Sequence, residues 1–173
     1  MIGPPRGLLV PAGAFAAAAL LGTLWLTRTP GPGLAPDSMS YLGAAESFAR
    51  TGSPRIPFAE WSDADSTGLL VHFPPGYPWL LGLPVTLGLS PAQAARWVQA
   101  LAAGVTTATV VLLAALEAGT GAGVLAGALL LATQPLVADH YIVLSEPVFL
   151  AFLVLTLALV VRGRERPLSV GVA

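Results

Sequence analysis

The charges of this 173-residue chain are placed so that long stretches carry none. Residues 7–27, 66–95, 97–116 and 118–138 contain no Asp, Glu, Lys or Arg, and 147–161 form a shorter run of the same kind. A helix needs roughly 20 apolar residues to cross a hydrocarbon core about 30 Å thick. The first, third and fourth runs meet that length, and the last meets it when it starts near Tyr141 with Glu146 in its outer turn. Only 10% of the residues are charged, against about 25% in soluble domains, so a soluble globule of this size would lack the polar material to coat itself. The formal net charge of −1 excludes an electrostatic grip on nucleic acid. The absence of Cys excludes a disulfide framework and a thiolate site. The reading is an all-α, polytopic membrane helix bundle forming one transmembrane domain over 1–173. An apolar stretch resuming at Ser169–Ala173 is the approach to a further span, so the chain reads as the N-terminal portion of a longer protein.

Eight of the 17 charges fall between Arg28 and Asp65, which marks an aqueous loop. The 66–95 run is apolar, but Pro74, Pro75, Pro78 and Pro84 each remove a backbone donor that lipid cannot replace. It reads as a broken or interfacial helix over about 75–89, with Tyr77 and Trp79 at headgroup depth. The positive-inside bias then selects four spans, at about 8–27, 91–116, 120–138 and 142–161. That count puts Arg6 and the Arg162, Arg164, Arg166 cluster on the cytoplasmic side and residues 28–90 outside; a fifth span would reverse the cluster. Residues 1–27 read as a retained anchor rather than a cleaved signal peptide. Ser90-Pro91-Ala92-Gln93 is a capping box with proline at the first helical position, which puts Arg96 in the second turn. Gly119, Gly121 and Gly123 make a tight cytoplasmic turn. Gly123 and Gly127 have the spacing for close helix approach, or are simply small residues in an alanine-rich helix. Tyr41, Ala45 and Phe48 recur at helical spacing and Gly52 stops the pattern, so residues 38–50 form a short amphipathic helix lying on the membrane.

This topology gathers Asp37, Tyr41, His72, Arg96, Asp139, His140 and Glu146 on the outer face. Asp37 lies on the same helix face as Tyr41, four residues on, and it has two readings: a catalytic carboxylate or a helix N-cap. Glu146 is either an acid favoured by the helix dipole in a first turn or, because a carboxylate is costly at the edge of hydrocarbon, a functional group. His72 and His140 read as interfacial polar residues rather than metal ligands, since no second histidine stands at ligand spacing.

Asp37-x-x-x-Tyr41 ending in Gly52 resembles the first outer loop of the GT-C membrane glycosyltransferases. His72-Phe73-Pro74-Pro75-Gly76-Tyr77-Pro78 resembles the proline-rich segment of the branch related to protein O-mannosyltransferases and to the aminoarabinose transferase of lipid A. Ala95-Arg96 and Leu144-Ser145-Glu146-Pro147 are also similar to that branch, and the four motifs stand in the same order. The resemblance implies a transferase that moves a sugar from a polyprenyl-phosphate donor to a glycan, lipid or protein acceptor at the outer face of a plasma or inner membrane. It implies Asp37 as the catalytic carboxylate and Glu146 as a partner for substrate or for a divalent cation; no other metal ligand and no further cofactor is implied. Tyr41 and His72 are read as substrate-binding. Arg96, by charge and depth, is either a ligand of the leaving phosphate or an interfacial anchor. Ser38 stands where several relatives carry a second acid, and Phe73, preceded by His72, stands where some place a cation. Family members are longer, so the 173-residue chain alone is expected to be inactive. The competing reading is a non-catalytic membrane module, such as a transporter or assembly subunit, in which Asp37 is only a cap.

Overall fold

The computed structural model describes residues 6–56, 68–69, 73–133 and 138–164. Within them the chain is an all-α membrane helix bundle of six helices: α1 (Arg6–Leu26), α2 (Pro36–Thr51), α3 (Gly76–Thr86), α4 (Pro91–Ala118), α5 (Thr120–Ala132) and α6 (Glu146–Arg164). One short antiparallel pair, β1 (Arg55–Ile56) with β2 (Gly68–Leu69), joins the loop between α2 and α3.

Three helices, α1, α4 and α6, are long and apolar enough to cross a bilayer. α4 is the central one, with 56% of its apolar window buried against 22% for α1 and 11% for α6. Its start follows from the sequence: Ser90 Oγ accepts from Gln93 N (3.2 Å) while Gln93 Oε1 accepts from Ser90 N (2.9 Å), satisfying two otherwise orphaned donors. α4 ends at Gly119, whose φ of +87° a side chain would resist, and this one residue lets α5 turn back at once.

α5 differs from the expected span over 120–138. It is 13 residues, about 20 Å at 1.5 Å per residue, shorter than a hydrocarbon core. Thr133 has already left the helix (φ −79°, ψ 96°), two residues ahead of Pro135, whose ring clashes with a continuing helix. The short helix still carries the chain back: Leu130 and Leu131 line a cavity of about 210 Å³ together with Thr23 of α1 and the returning His140 and Tyr141. The chain then descends again in α6, parallel to α4.

Small residues set the helix spacing. Gly104 of α4 faces Ala16 and Leu20 of α1, where an added Cβ would lie 3.4 Å from the Ala16 carbonyl oxygen. A Cβ on Gly123 would come within 2.8 Å of the Val111 carbonyl oxygen of α4, and one on Gly127 within 2.7 Å of the Phe15 ring of α1. The close-approach reading of the glycine pair is therefore what the packing uses. Around α4 a core of Tyr41, Ala45, Tyr77, Leu81, Ala95, Val143 and Val148 ties α2, α3 and the start of α6 together.

α3 lies within the expected 75–89 segment, and its 11 residues reach only about 16 Å. Trp79 is exposed and stacks on Phe48 (6.0 Å between centroids). Tyr77 departs from the expectation of headgroup depth: it is 4% exposed, because Gln99 of α4 supplies a partner for its hydroxyl inside the core.

Gly123→Ala should force α4 and α5 apart and lower stability by about 1–3 kcal/mol. Gly121→Ala, with nothing within 4 Å of its added Cβ, should not. Thermal unfolding midpoints of the two variants in the same detergent check the contrast.

Candidate active site

The site is assembled on the segment that leads from Tyr141 into α6. This stretch is extended, so its backbone groups need partners from elsewhere. Gly33 N–H donates to Tyr141 O (2.7 Å), and Val143 N–H donates back to Gly33 O (2.9 Å), a single parallel bridge. Gln99 Nε2 donates to Ile142 O (2.7 Å) and Leu144 O (2.9 Å), and also lies 3.1 Å from the Tyr77 hydroxyl. Ser38 Oγ donates to Val143 O (2.7 Å). All four carbonyls from Tyr141 to Leu144 are thus satisfied, three of them by the side chains of two fully buried residues.

Asp37 is not the cap of α2. Ala35 holds the N-cap position, Pro36 the first helical one, and Ser38 Oγ accepts from Ala35 N (2.8 Å), so the serine does the capping. Asp37 is left half-exposed in the first turn, where the helix dipole favours an anion, and no hydrogen bond or ion pair engages its carboxylate among the described residues. Ser38 also accounts for the missing second acid. Its fully buried Oγ sits against a carbonyl oxygen, where a carboxylate would be repelled.

Tyr41 is 3% exposed, edge-on to Tyr77 (5.0 Å) and tilted on Phe73 (5.2 Å). Its hydroxyl lies 3.2 Å from Ser145 Oγ, and Ser145 in turn donates to Glu146 Oε2 across a long 3.4 Å contact. Because the serine has one proton and gives it to Glu146, Tyr41 is the donor to Ser145. Burial raises the Tyr41 pKa above the usual 10; the Ser145 bond opposes this, while the charges of Glu146 and of Asp37 add to it. Tyr41, Ser145 and Glu146 form a chain of polar contacts, and Asp37 stands one helical turn before Tyr41 on α2. The Tyr41 ring completes the core and its hydroxyl lies against Ser145. Glu146 is exposed.

Arg96 is tied to α1. Its Nε donates to Thr27 Oγ1 (3.3 Å) and one terminal nitrogen donates to Leu24 O (2.9 Å), a carbonyl in the last turn of that helix. These two bonds tie the start of α4 to the end of α1. His72 lies outside the described residues, and Phe73 beside it packs on Tyr41. His140 is buried against the cavity between α1, α4 and α5 rather than beside Glu146. Among the described residues Asp139 makes no hydrogen bond or ion pair with Tyr41, Ser145 or Glu146. Among the described residues no three His, Asp or Glu side chains converge as a metal cage would require. Gln99, Ser38 and Tyr77 escaped the sequence reading of the site. For Gln99 a signal existed: it is a lone polar amide inside an uncharged run, and such a side chain in a span seeks a partner.

A family model described as dolichyl-phosphate-mannose-protein mannosyltransferase matches residues 72–170, a stretch that contains Arg96, Gln99, Ser145 and Glu146. No curated protein and no solved structure matches the chain.

Tyr77, buried and close to Tyr41 and Glu146, also has its pKa raised well above 10. The folded chain keeps these phenolic protons at pH values where the unfolded chain loses them. The stability they contribute is full below pH 10 and falls as pH rises beyond it. Unfolding midpoints measured across this range should drop above about pH 10, and Tyr77→Phe should flatten the drop. Ser38→Asp should lower the midpoint at neutral pH by more than Ser38→Ala, whose lost hydrogen bonds are worth about 1 kcal/mol each.

Proposed function

The chain belongs to the dolichyl-phosphate-mannose-protein mannosyltransferase family, a family of glycosyltransferases, over more than half its length, and from that premise we propose that it supplies the catalytic carboxylate and the membrane frame for sugar transfer from a polyprenyl-phosphate donor. The observation that carries this reading is the freedom of Asp37, an acid released from capping by Ser38 and one helical turn from Tyr41, whose hydroxyl leads through Ser145 to Glu146. The chain is an integral membrane protein, and the group stands at the end of the bundle where α1 finishes and α4 and α6 begin. The arginine distribution supports an outward-facing site with a cytoplasmic N-terminus.

In the proposed step the oxygen of an acceptor hydroxyl attacks the anomeric carbon of the donor sugar. Asp37 takes the hydroxyl proton as the new bond forms. The bond between the anomeric carbon and the phosphate oxygen breaks, and the polyprenyl phosphate leaves with the electron pair. An acid at the water–lipid boundary suits this chemistry because it meets a soluble acceptor and a lipid-held donor together. Tyr41 and Ser145 hold the Glu146 carboxylate in place, where it can orient sugar hydroxyls. A divalent cation on the donor phosphate would take Glu146 as its protein ligand and neutralise the developing charge. Arg96 retains N–H groups beyond those used on α1 for the departing phosphate. His72, next to the packed Phe73, is assigned to the acceptor side.

Asp37→Asn keeps the size and the helix position of the side chain and removes the base. With the protein expressed at its natural length, transfer of labelled mannose from polyprenyl-phosphate-mannose in isolated membranes should fall by about 10²–10⁴-fold, at unchanged protein level. Undiminished transfer would leave the chain a non-catalytic membrane module.

A further inference from the structure

The end of the bundle remote from Asp37 holds a second feature, which sugar transfer does not use. Leu112, Leu113 and Leu116 of α4 face Leu155 and Leu159 of α6 across a cleft of about 190 Å³. The polar atom deep in its wall is already satisfied, since Thr109 Oγ1 donates to Val105 O (2.8 Å). Nothing inside the cleft asks for a hydrogen bond, so its interior suits hydrocarbon and not water. At its mouth stands Arg162, exposed, in the last turns of α6, with no hydrogen bond or ion pair to another described residue. Glu117, the acid at this end of α4, makes no ion pair with it among the described residues. Arg164, Glu165 and Arg166 follow in sequence and leave this end net positive.

An apolar slot between two spanning helices with a free guanidinium at its edge matches a molecule that joins an alkyl chain to an anion at one end. The position distinguishes between two such molecules. Arg162 is 16 residues along α6 from Glu146, about 24 Å at 1.5 Å per residue, nearly the depth of the hydrocarbon core. A donor with its phosphate on Arg162 could not present its sugar to Asp37. A lipid of the opposite leaflet has its headgroup at the required depth. We propose that the cleft between α4 and α6 binds an acyl chain of an anionic glycerophospholipid, with the headgroup phosphate on Arg162. This site is independent of the carboxylate site and of the activity assigned to it.

Native mass spectrometry of the full chain, released from micelles containing equal amounts of phosphatidylglycerol and phosphatidylcholine, tests the assignment. Phosphatidylglycerol should be retained about fivefold over phosphatidylcholine, the effect expected of one cation near a lipid phosphate. Arg162→Gln, a change at an exposed position, should bring the ratio to unity. Ala158→Phe should fill the cleft and abolish retention of both lipids at unchanged helix content by circular dichroism. Equal retention by the unaltered chain, a ratio unchanged in Arg162→Gln, or full retention in folded Ala158→Phe each overturns the proposal. Displacement of phosphatidylglycerol by an equal amount of polyprenyl phosphate, in an Arg162-dependent way, also overturns it by assigning the cleft to the donor.

Discussion

An extended stretch of backbone inside an apolar bundle must find a partner for each carbonyl, because neither lipid nor leucine side chains provide one. Residues Tyr141 to Leu144 are such a stretch, and the rest of this end of the bundle is arranged around their needs. Gly33 serves the first carbonyl, Ser38 the third, and Gln99 the second and fourth. These three residues come from the first loop, α2 and α4, so satisfying one strand-like segment docks three parts of the chain at once. Glu146 then begins α6 at a fixed place, joined through Ser145 to Tyr41 of α2, the helix that carries Asp37 in its first turn. The positions of the two acids are by-products of backbone satisfaction.

Much of the bundle could be read from run lengths and caps. The uncharged stretch before Arg28 and the one after Ser90 became α1 and α4, and Ser90 and Gln93 close the capping box that their spacing announces. Local rules were less informative where two residues could do the same job. In Pro36-Asp37-Ser38 both the acid and the serine are able caps, and only the distant Val143 carbonyl shows why the serine turned inward and left the acid outside. Tyr77 was misjudged for a related reason. An amphipathic ring beside prolines looks interfacial when its partner, Gln99, lies 22 residues away. α5 fell short of its apolar run because hydropathy counts residues and does not register that Pro135 forbids the helix to continue.

α4 acts as the measure of the molecule. Near its start it holds Arg96 and Gln99, which organise the polar end of the bundle; through its middle it offers alanines and Gly104 to α1; toward its finish it presents leucines to α6. Polar contacts and an apolar cleft are thereby kept at opposite ends of one 28-residue helix. The helix tolerates a buried amide because Gln99 faces backbone carbonyls of the same protein and not the bilayer.

The tie between Arg96 and Thr27 has a topological meaning. The polypeptide leaves the bundle at Thr27 and re-enters it at Arg96, and these two points touch at 3.3 Å. The excursion between them is docked back onto the bundle by the Ser38 bond to Val143 and by the packing of Tyr41, Tyr77 and Leu81 in the core. The entropy of such a loop grows only slowly with added residues. Insertions or deletions between Gly52 and Phe73 can accordingly be absorbed without moving α1 against α4. The connection between α2 and α3 is thus free to vary in length while α1, α2 and α4 keep their mutual contacts.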